Sequence, residues 1–117
     1  MAKPTVLVNL KRPAGGQGGV HISISRWKQK GAVGDTISWQ CTNPNDSDLD
    51  SFSVTWDHPT WPFDGQRRQL FGDKNTPAQA IVSTGGTVDG YYTVTFYFTD
   101  DDGFARTANV DPDMVIN

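Results

Sequence analysis

The sequence has few of the side chains from which metal centres and nucleophilic active sites are built. It contains one cysteine, Cys41, and two histidines, His21 and His58. A lone cysteine cannot form a disulfide within the chain, and these three residues lie on separate segments without the paired spacing of a zinc site. No segment combines a nucleophile, a base and an orienting partner. We therefore expect a protein without metal or cofactor that is not an enzyme.

Long apolar runs and an excess of positive charge are also missing. The formal net charge is -3 and the basic residues are scattered, which argues against a phosphate-binding stripe and a nucleic-acid partner. No apolar run approaches the roughly 20 residues needed to cross a bilayer. The opening MAKPTVLVNL lacks the apolar core and cleavage site of a secretory signal. We expect a protein that does not bind membranes and is cytoplasmic, or secreted or periplasmic if a leader was removed.

Turn-forming residues, by contrast, are plentiful. The chain holds 12 Gly and 7 Pro, a composition that favours short strands over helices. A length of 117 residues suits one domain with its own core. About seven or eight strands, with turns about every eight to twelve residues, predict a single all-β domain over 1–117: an antiparallel β-sandwich of Greek-key type, for example immunoglobulin-like.

The stretch 33–57 predicts the centre of the core, as two antiparallel strands joined by the acidic turn NPNDSDLD. The segment YYTVTFYFT at 91–99 has the strongest β-signal in the chain. Apolar and polar residues alternate in all three strands. The positions predicted to face inward are Ile37, Trp39, Cys41, Phe52, Val54, Trp56, Tyr92, Val94, Phe96 and Phe98.

Residues 20–27 alternate cleanly and predict one strand that ends at Trp27, with His21 on its solvent side. Trp27 breaks the alternation and lies among basic residues. It is either a partly exposed aromatic beside cations or a rim residue that closes the core. We prefer the rim, because amphipathic aromatics often end a core layer with one edge in water.

Two segments predict loops. Residues 13–19 are rich in glycine but lack the Gly-Lys-Ser/Thr ending and the following helix of a phosphate loop, so we expect a flexible connection. Residues 57–77 show no periodicity and contain several prolines and glycines, which predicts one long loop. A loop of that length is usually functional or else packs down through its own apolar residues.

The long loop contains the one candidate ligand site, an aromatic and basic group of residues. Flat rings beside guanidinium and amide groups suit a sugar or a protein partner, because the rings stack while the planar groups fix orientation. The alternative, which we prefer, is a self-packed loop that covers one end of the sandwich. The tentative ligand-binding residues are Trp61, Phe63, Arg67, Arg68 and Phe71.

Two acidic turns, 46–50 and 100–102, raise the question of calcium. The first has the alternate carboxylates of a calcium loop, but Ser51 replaces the required glycine and Asp57 the bidentate glutamate. We prefer solvated acidic turns that keep a sheet edge from pairing with other chains.

The order of the central pieces resembles the cupredoxin-like sandwich. The pieces are a Gly-Asp-Thr-Ile-Ser-Trp strand (34–39), a second strand at 52–57, a Tyr-rich strand and a final Met-Val-Ile strand. The resemblance implies a cupredoxin-like Greek key, but a type-1 copper site needs two histidines and a cysteine that this chain does not place near its last strands. The early Gly-Asp-x-Ile-x-Trp strand and the ending Asp-Pro-Asp-Met-Val (111–115) are also similar to the longer PixA/AidA-type bacterial inclusion-body proteins.

These features predict a non-catalytic binding or interaction module whose partner is an unknown protein or a glycan. A carbohydrate-binding module that uses the aromatic loop 57–72 is the alternative. A small enzyme comes third, because the adjacent Asp57 and His58 do not orient their side chains toward each other.

Overall fold

The computed structural model describes residues 3–12, 20–56, 61–65, 68–83 and 88–116. Residues 13–19, predicted to be a flexible loop, lie outside this range. The described residues form ten strands and one 3-10 turn at Pro44–Asp46. The strands are β1 (Thr5–Lys11), β2 (His21–Ile24), β3 (Lys28–Gly31), β4 (Thr36–Cys41), β5 (Leu49–Trp56), β6 (Gln69–Asp73), β7 (Ala78–Ile81), β8 (Val88–Thr99), β9 (Ala105–Val110) and β10 (Asp113–Ile116).

The strands form two sheets that pack face to face, which confirms the predicted all-β sandwich. One sheet has the order β2-β1-β4-β7, and the other has the order β3-β10-β8-β5-β6 with β9 paired to β8. The sheets are mixed rather than purely antiparallel as predicted, since β1 runs parallel to β4 and β10 runs parallel to β3, and the strands number ten in the described residues rather than seven or eight. No helix in the described ranges is long and apolar enough to span a membrane.

The prediction of one strand over 20–27 was wrong. Strand β2 ends at Ile24, and the chain then crosses to the other sheet to form β3, parallel to β10. Gln29 and Gly31 are the inward residues of β3. Because neither is a large hydrophobic residue, alternation could not identify this strand.

Strands β4 and β5 do not pair with each other, contrary to the prediction for 33–57. They belong to different sheets of the sandwich. The connection between them is long enough to span the roughly 10 Å between packed sheets. The inward residues are as predicted except at the end of β4, where Cys41 is only half-buried.

The core is built from alternating residues of both sheets, and Trp39 and Tyr92 are at its centre. The Trp39 indole Nε1 donates a hydrogen bond of 3.3 Å to the Tyr92 hydroxyl, and the two rings meet edge to face at 5.6 Å. Burial raises the pKa of Tyr92 to about 12. The buried hydrophobic residues are Val6, Val8, Leu10, Ile24, Ile37, Trp39, Leu49, Phe52, Val54, Trp56, Phe63, Ala78, Ala80, Val82, Val88, Tyr92, Val94, Phe96, Phe98, Met114 and Ile116.

The longest strand, β8, determines the shape of the molecule. Its C-terminal part pairs with β9, its N-terminal part pairs with β10, and Tyr92 N donates to Pro112 O between them. Strands β9 and β10 therefore form one continuous ladder along the same side of β8. Twelve residues of strand extend about 40 Å, which accounts for the extents of 48 × 25 × 22 Å.

Candidate functional site

Two aromatic residues from the candidate loop pack inward rather than outward. Phe63 is only 4% exposed and makes an isolated bridge with Val82. Its ring meets Trp56 at 5.5 Å and Trp61 at 5.1 Å, both edge to face. Trp61 is half-buried, and its indole Nε1 is buried without a hydrogen-bond partner among the described residues. Phe63 therefore belongs to the core, and Trp61 covers it.

The segment 57–77, predicted to be one long loop, contains strand β6. This strand pairs antiparallel with β5 along the edge of the larger sheet. Glycine suits position 72 of this strand, because a Cβ there would collide with the ring of Phe52 and approach the Thr76 carbonyl oxygen to 2.9 Å. Of the predicted ligand residues, Phe71 lies on β6 and Arg68 lies just before it, whereas Arg67 lies outside the described residues.

A groove of about 540 Å³ runs between β6 and β7, the neighbouring edge strands of the two sheets. It brings together two of the predicted ligand residues, Arg68 and Phe71, and the Phe71 ring is 65% exposed. It does not include Trp61 or Phe63. The lining residues are Arg68, Gln69, Leu70, Phe71 and Gln79.

The sequence prediction missed Gln79, which lies on the opposite wall of the groove. Gln79 alternates with the buried Ala78 and Ala80, so the sequence pattern alone indicates that it faces outward. Its position beside β6 depends on how the two sheets pack together. No local pattern in the sequence contains that information.

The β6 wall of the groove carries unpaired backbone groups. Trp56 N donates to Arg68 O at 3.0 Å, so the backbone of Arg68 points toward β5. Residues of an antiparallel edge strand alternate in direction, and Gln69 and Phe71 therefore turn their N–H and C=O groups toward the groove. Neither residue has a hydrogen-bond partner for these groups in the described chain.

The β7 wall is similar. Ser38 N donates to Pro4 O on the far side of β4, so Ser38 and its register partner Gln79 form a pair without mutual hydrogen bonds. The N–H and C=O groups of Gln79 therefore also face the groove. Both walls thus offer backbone donors and acceptors to a ligand.

The two acidic turns are engaged in contacts within the chain. Asp46 forms an ion pair of 2.6 Å with Lys11, and Asp48 accepts a hydrogen bond of 2.6 Å from Arg12 N. Asp100 accepts hydrogen bonds from Arg106 Nε and from two backbone N–H groups of its own turn. Within the described residues, no three His, Cys, Asp or Glu side chains come together in a way that could hold a metal ion.

No protein family model matches the sequence, and no curated protein is significantly similar to it. Function has to be inferred from the groove and its chemistry.

Proposed function

We propose that the protein is a non-catalytic interaction module that binds an extended segment of a partner protein in the groove between β6 and β7. The supporting observation is the set of unpaired backbone groups on both walls, at Gln69, Phe71 and Gln79. An extended peptide adds to an exposed sheet edge through main-chain hydrogen bonds, and pockets for alternate side chains provide specificity.

Phe71 supplies the apolar contact in this proposal. Its ring is largely exposed beside the open edge, where it can pack against a side chain of the bound segment. Burying an exposed aromatic side chain contributes about 1.5–3 kcal/mol to association. Phe71 is therefore the residue whose truncation should weaken binding most.

The second candidate ligand is a glycan. The exposed ring of Phe71 lies in the same groove as the side-chain amides of Gln69 and Gln79, a combination that suits stacking on a sugar face and hydrogen bonding to its hydroxyls. A glycan would use the side chains and leave the backbone edge unpaired. The two ligand classes thus predict different contacts at the same residues.

The test is a screen of defined peptide and glycan arrays with the purified protein, followed by NMR titration of each hit. A bound peptide should shift the backbone amides of Gln69, Phe71 and Gln79 and slow their hydrogen exchange. A bound glycan should shift the side-chain amides of the two glutamines without slowing backbone exchange.

Two variants with matched exposure provide the control. Phe71→Ala should weaken binding by about tenfold or more, whereas Tyr91→Ala should leave it unchanged. Tyr91 is 64% exposed on a different strand and does not line the groove. Hits that bind wild type and Phe71→Ala equally, or arrays without any hit, would remove the groove as a site.

We also propose that the sandwich is cupredoxin-like rather than immunoglobulin-like. The sequence motif at 34–39 and the parallel strand pairs in both sheets support this, since an immunoglobulin sandwich is built from two antiparallel sheets. An experimental structure in which β1–β4 or β10–β3 is not parallel would contradict it.

A further inference from the structure

Strand β9 forms an open sheet edge far from the groove, on the opposite side of the larger sheet. Its inner neighbour is β8, and β3 covers only the continuation of the ladder at β10. Phe104 O accepts from Asp100 N and Pro112 O accepts from Tyr92 N, so the even-numbered residues of this ladder point toward β8. By alternation, Ala105, Thr107 and Asn109 turn their N–H and C=O groups outward.

This edge lacks the devices that usually protect a sheet edge. Natural edge strands are kept short or interrupted by proline, lysine or a bulge. Strand β9 has six residues, no proline or lysine, and an unbroken register with β8. Its one charged residue, Arg106, donates to Asp100 of its own hairpin at 2.8 Å. None of the outward backbone groups has a partner in the described chain.

We propose that β9 pairs antiparallel with β9 of a second copy of this chain, forming a two-fold symmetric dimer with one continuous sheet. A two-fold axis beside Thr107 places Thr107 opposite Thr107 of the second copy. It also places Ala105 opposite Asn109, and Asn109 opposite Ala105. Each of these three residue pairs exchanges two hydrogen bonds, so the interface contains about six. Closed two-fold pairing is the commonest form of association for identical chains.

The two ends of β9 have complementary charge. The turn before β9 carries three acidic residues: Asp100 and Asp101 pair with Arg106 and Arg12, and Asp102 has no ion pair in the described chain. Beyond the other end, the basic crossing, meaning the link from β2 to β3 together with β3 itself, carries Arg26, Lys28 and Lys30, all exposed and without an ion pair in the described chain, whereas the ladder carries Asp111 and Asp113 at this end. Asp113 N donates to Trp27 O, so this crossing lies directly beside the ladder. Antiparallel pairing brings the acidic turn of one copy to the basic crossing of the other, at both ends.

Apolar residues reinforce the same arrangement. Phe104 is 62% exposed at the start of β9, and Trp27 is 56% exposed at the basic crossing. In the pairing described above, Phe104 of one copy lies opposite Val110 of the other and next to its Trp27. The dimer therefore covers two large rings that the monomer leaves in water, which favours a second copy over an unrelated strand.

The first test is sedimentation equilibrium of the wild type and of variants at Thr107. Thr107→Pro removes an outward N–H that has no partner within the chain, so the monomer keeps its ladder and loses hydrogen bonds only in the dimer. Its dimer dissociation constant should rise at least about tenfold. The control Thr107→Val keeps the N–H and the β-branched shape and should dimerise as the wild type does.

The second test is a charge exchange, which stays informative if Thr107→Pro does not fold. Asp102→Lys and Lys28→Glu should each weaken dimerisation, and the double variant should restore it, because the exchanged charges meet only between copies. If either residue acted only within the monomer, the double variant would not dimerise better than the single variants. Phe71→Ala should dimerise normally, so failure of this proposal is distinguishable from failure of the groove.

Three results would overturn the dimer. The wild type could remain monomeric at millimolar concentration, Thr107→Val could weaken association as much as Thr107→Pro, or the double charge variant could be no better than the single ones. Hydrogen exchange at Thr107 and Asn109 should slow as protein concentration rises, and unchanged exchange in a sample that does dimerise would place the interface elsewhere.

Discussion

At the scale of single residues, the four tryptophans occupy three different environments. Trp39 and Trp56 are buried, Trp61 is half-buried and Trp27 is exposed. Alternation correctly predicted the first two, because each lies inside a strand with a regular polar and apolar pattern. The prediction that Trp27 closes the rim of the core was wrong, because the residue is 56% exposed.

We therefore expect Trp39→Ala and Trp56→Ala to lower the free energy of unfolding by about 3–5 kcal/mol each, through lost burial and the cavity left behind. Trp27→Ala is the matched control and should change it by less than about 0.5 kcal/mol in the monomer. Denaturant midpoints at low protein concentration would measure both. Equal midpoints for Trp39→Ala and Trp27→Ala would show that the assigned facing of β4 is wrong.

Trp61 allows a finer prediction. Its ring packs on Phe63, but its indole N–H is buried and has no partner in the part of the chain that the structure describes. Trp61→Ala should cost about 2–3 kcal/mol, because packing is lost from a half-buried site. Trp61→Phe should cost less than about 1 kcal/mol, because it keeps a ring and removes the unsatisfied donor. The reverse order of the two variants in thermal unfolding would indicate that the N–H has a partner in solution.

At the scale of strands, the elements that the sequence failed to predict are those whose inward positions hold glycine or glutamine. In β3 the inward residues are Gln29 and Gly31, and in β6 the buried residue is Gly72, so neither strand shows the alternation of large apolar residues that predicts a strand. A glycine in a strand is usually evidence against that strand, yet here each is buried against side chains of neighbouring strands. Only the packed structure shows why they are needed, so pattern reasoning placed half of the candidate site in a loop.

Gly72→Ala should destabilise the protein by about 1–3 kcal/mol, because its methyl group collides with the ring of Phe52. Phe52→Leu relieves the contact with the ring but leaves the contact with the Thr76 carbonyl oxygen, which is 2.9 Å from the same Cβ position. In a double-mutant cycle the two changes should cost less together than the sum of the single costs. Strict additivity would mean that the strand moves to avoid the collision.

The turn from β8 to β9 gives a prediction about pH. The hydrogen bond from Arg106, followed by those from the backbone N–H groups of Phe104 and Asp102, lowers the pKa of Asp100 below its ordinary value of 3.8. A lowered pKa means that the folded state favours the ionised form, so this stabilisation is present above pH 3.8 and is lost as pH falls through the lower, folded value.

Asp100→Asn should therefore reduce the loss of stability at low pH. The denaturant midpoint of the variant should fall less between pH 7 and pH 2 than that of the wild type. The control is Asp102→Asn, which removes a neighbouring exposed carboxylate that makes no ion pair in the described chain. An NMR titration that gives Asp100 a normal pKa would contradict the assignment.

At the scale of the whole molecule, the all-β class and the sandwich could be predicted because turn residues and alternating strands are spread along the chain. The pairing of strands could not, since β4 and β5 are neighbours in sequence but lie in opposite sheets. The groove depends on that long-range arrangement. Its walls come from β6 and β7, whose relation no local pattern encodes.

The arrangement of the sheets also bears on copper. His21 pairs with Lys11 on one side of β1, whereas Cys41 pairs with Val8 on the other. Strand β1 therefore lies between His21 and Cys41, and the two residues are also at different positions along it. This arrangement does not suit a compact copper site of two histidines and a cysteine. Titration with copper should give no intense thiolate-to-copper absorption. A blue, stoichiometric complex that Cys41→Ser abolishes would contradict this.

The parallel pairing of β3 with β10 has a kinetic consequence. Lys28 lies beside Asp113, so this pairing closes a loop that contains most of the chain. Closing so large a loop costs conformational entropy before any contact compensates for it, and domains dominated by such distant pairings fold on the order of milliseconds to seconds. We expect the apolar side chains of β8 to stay accessible to other chains until this loop has closed.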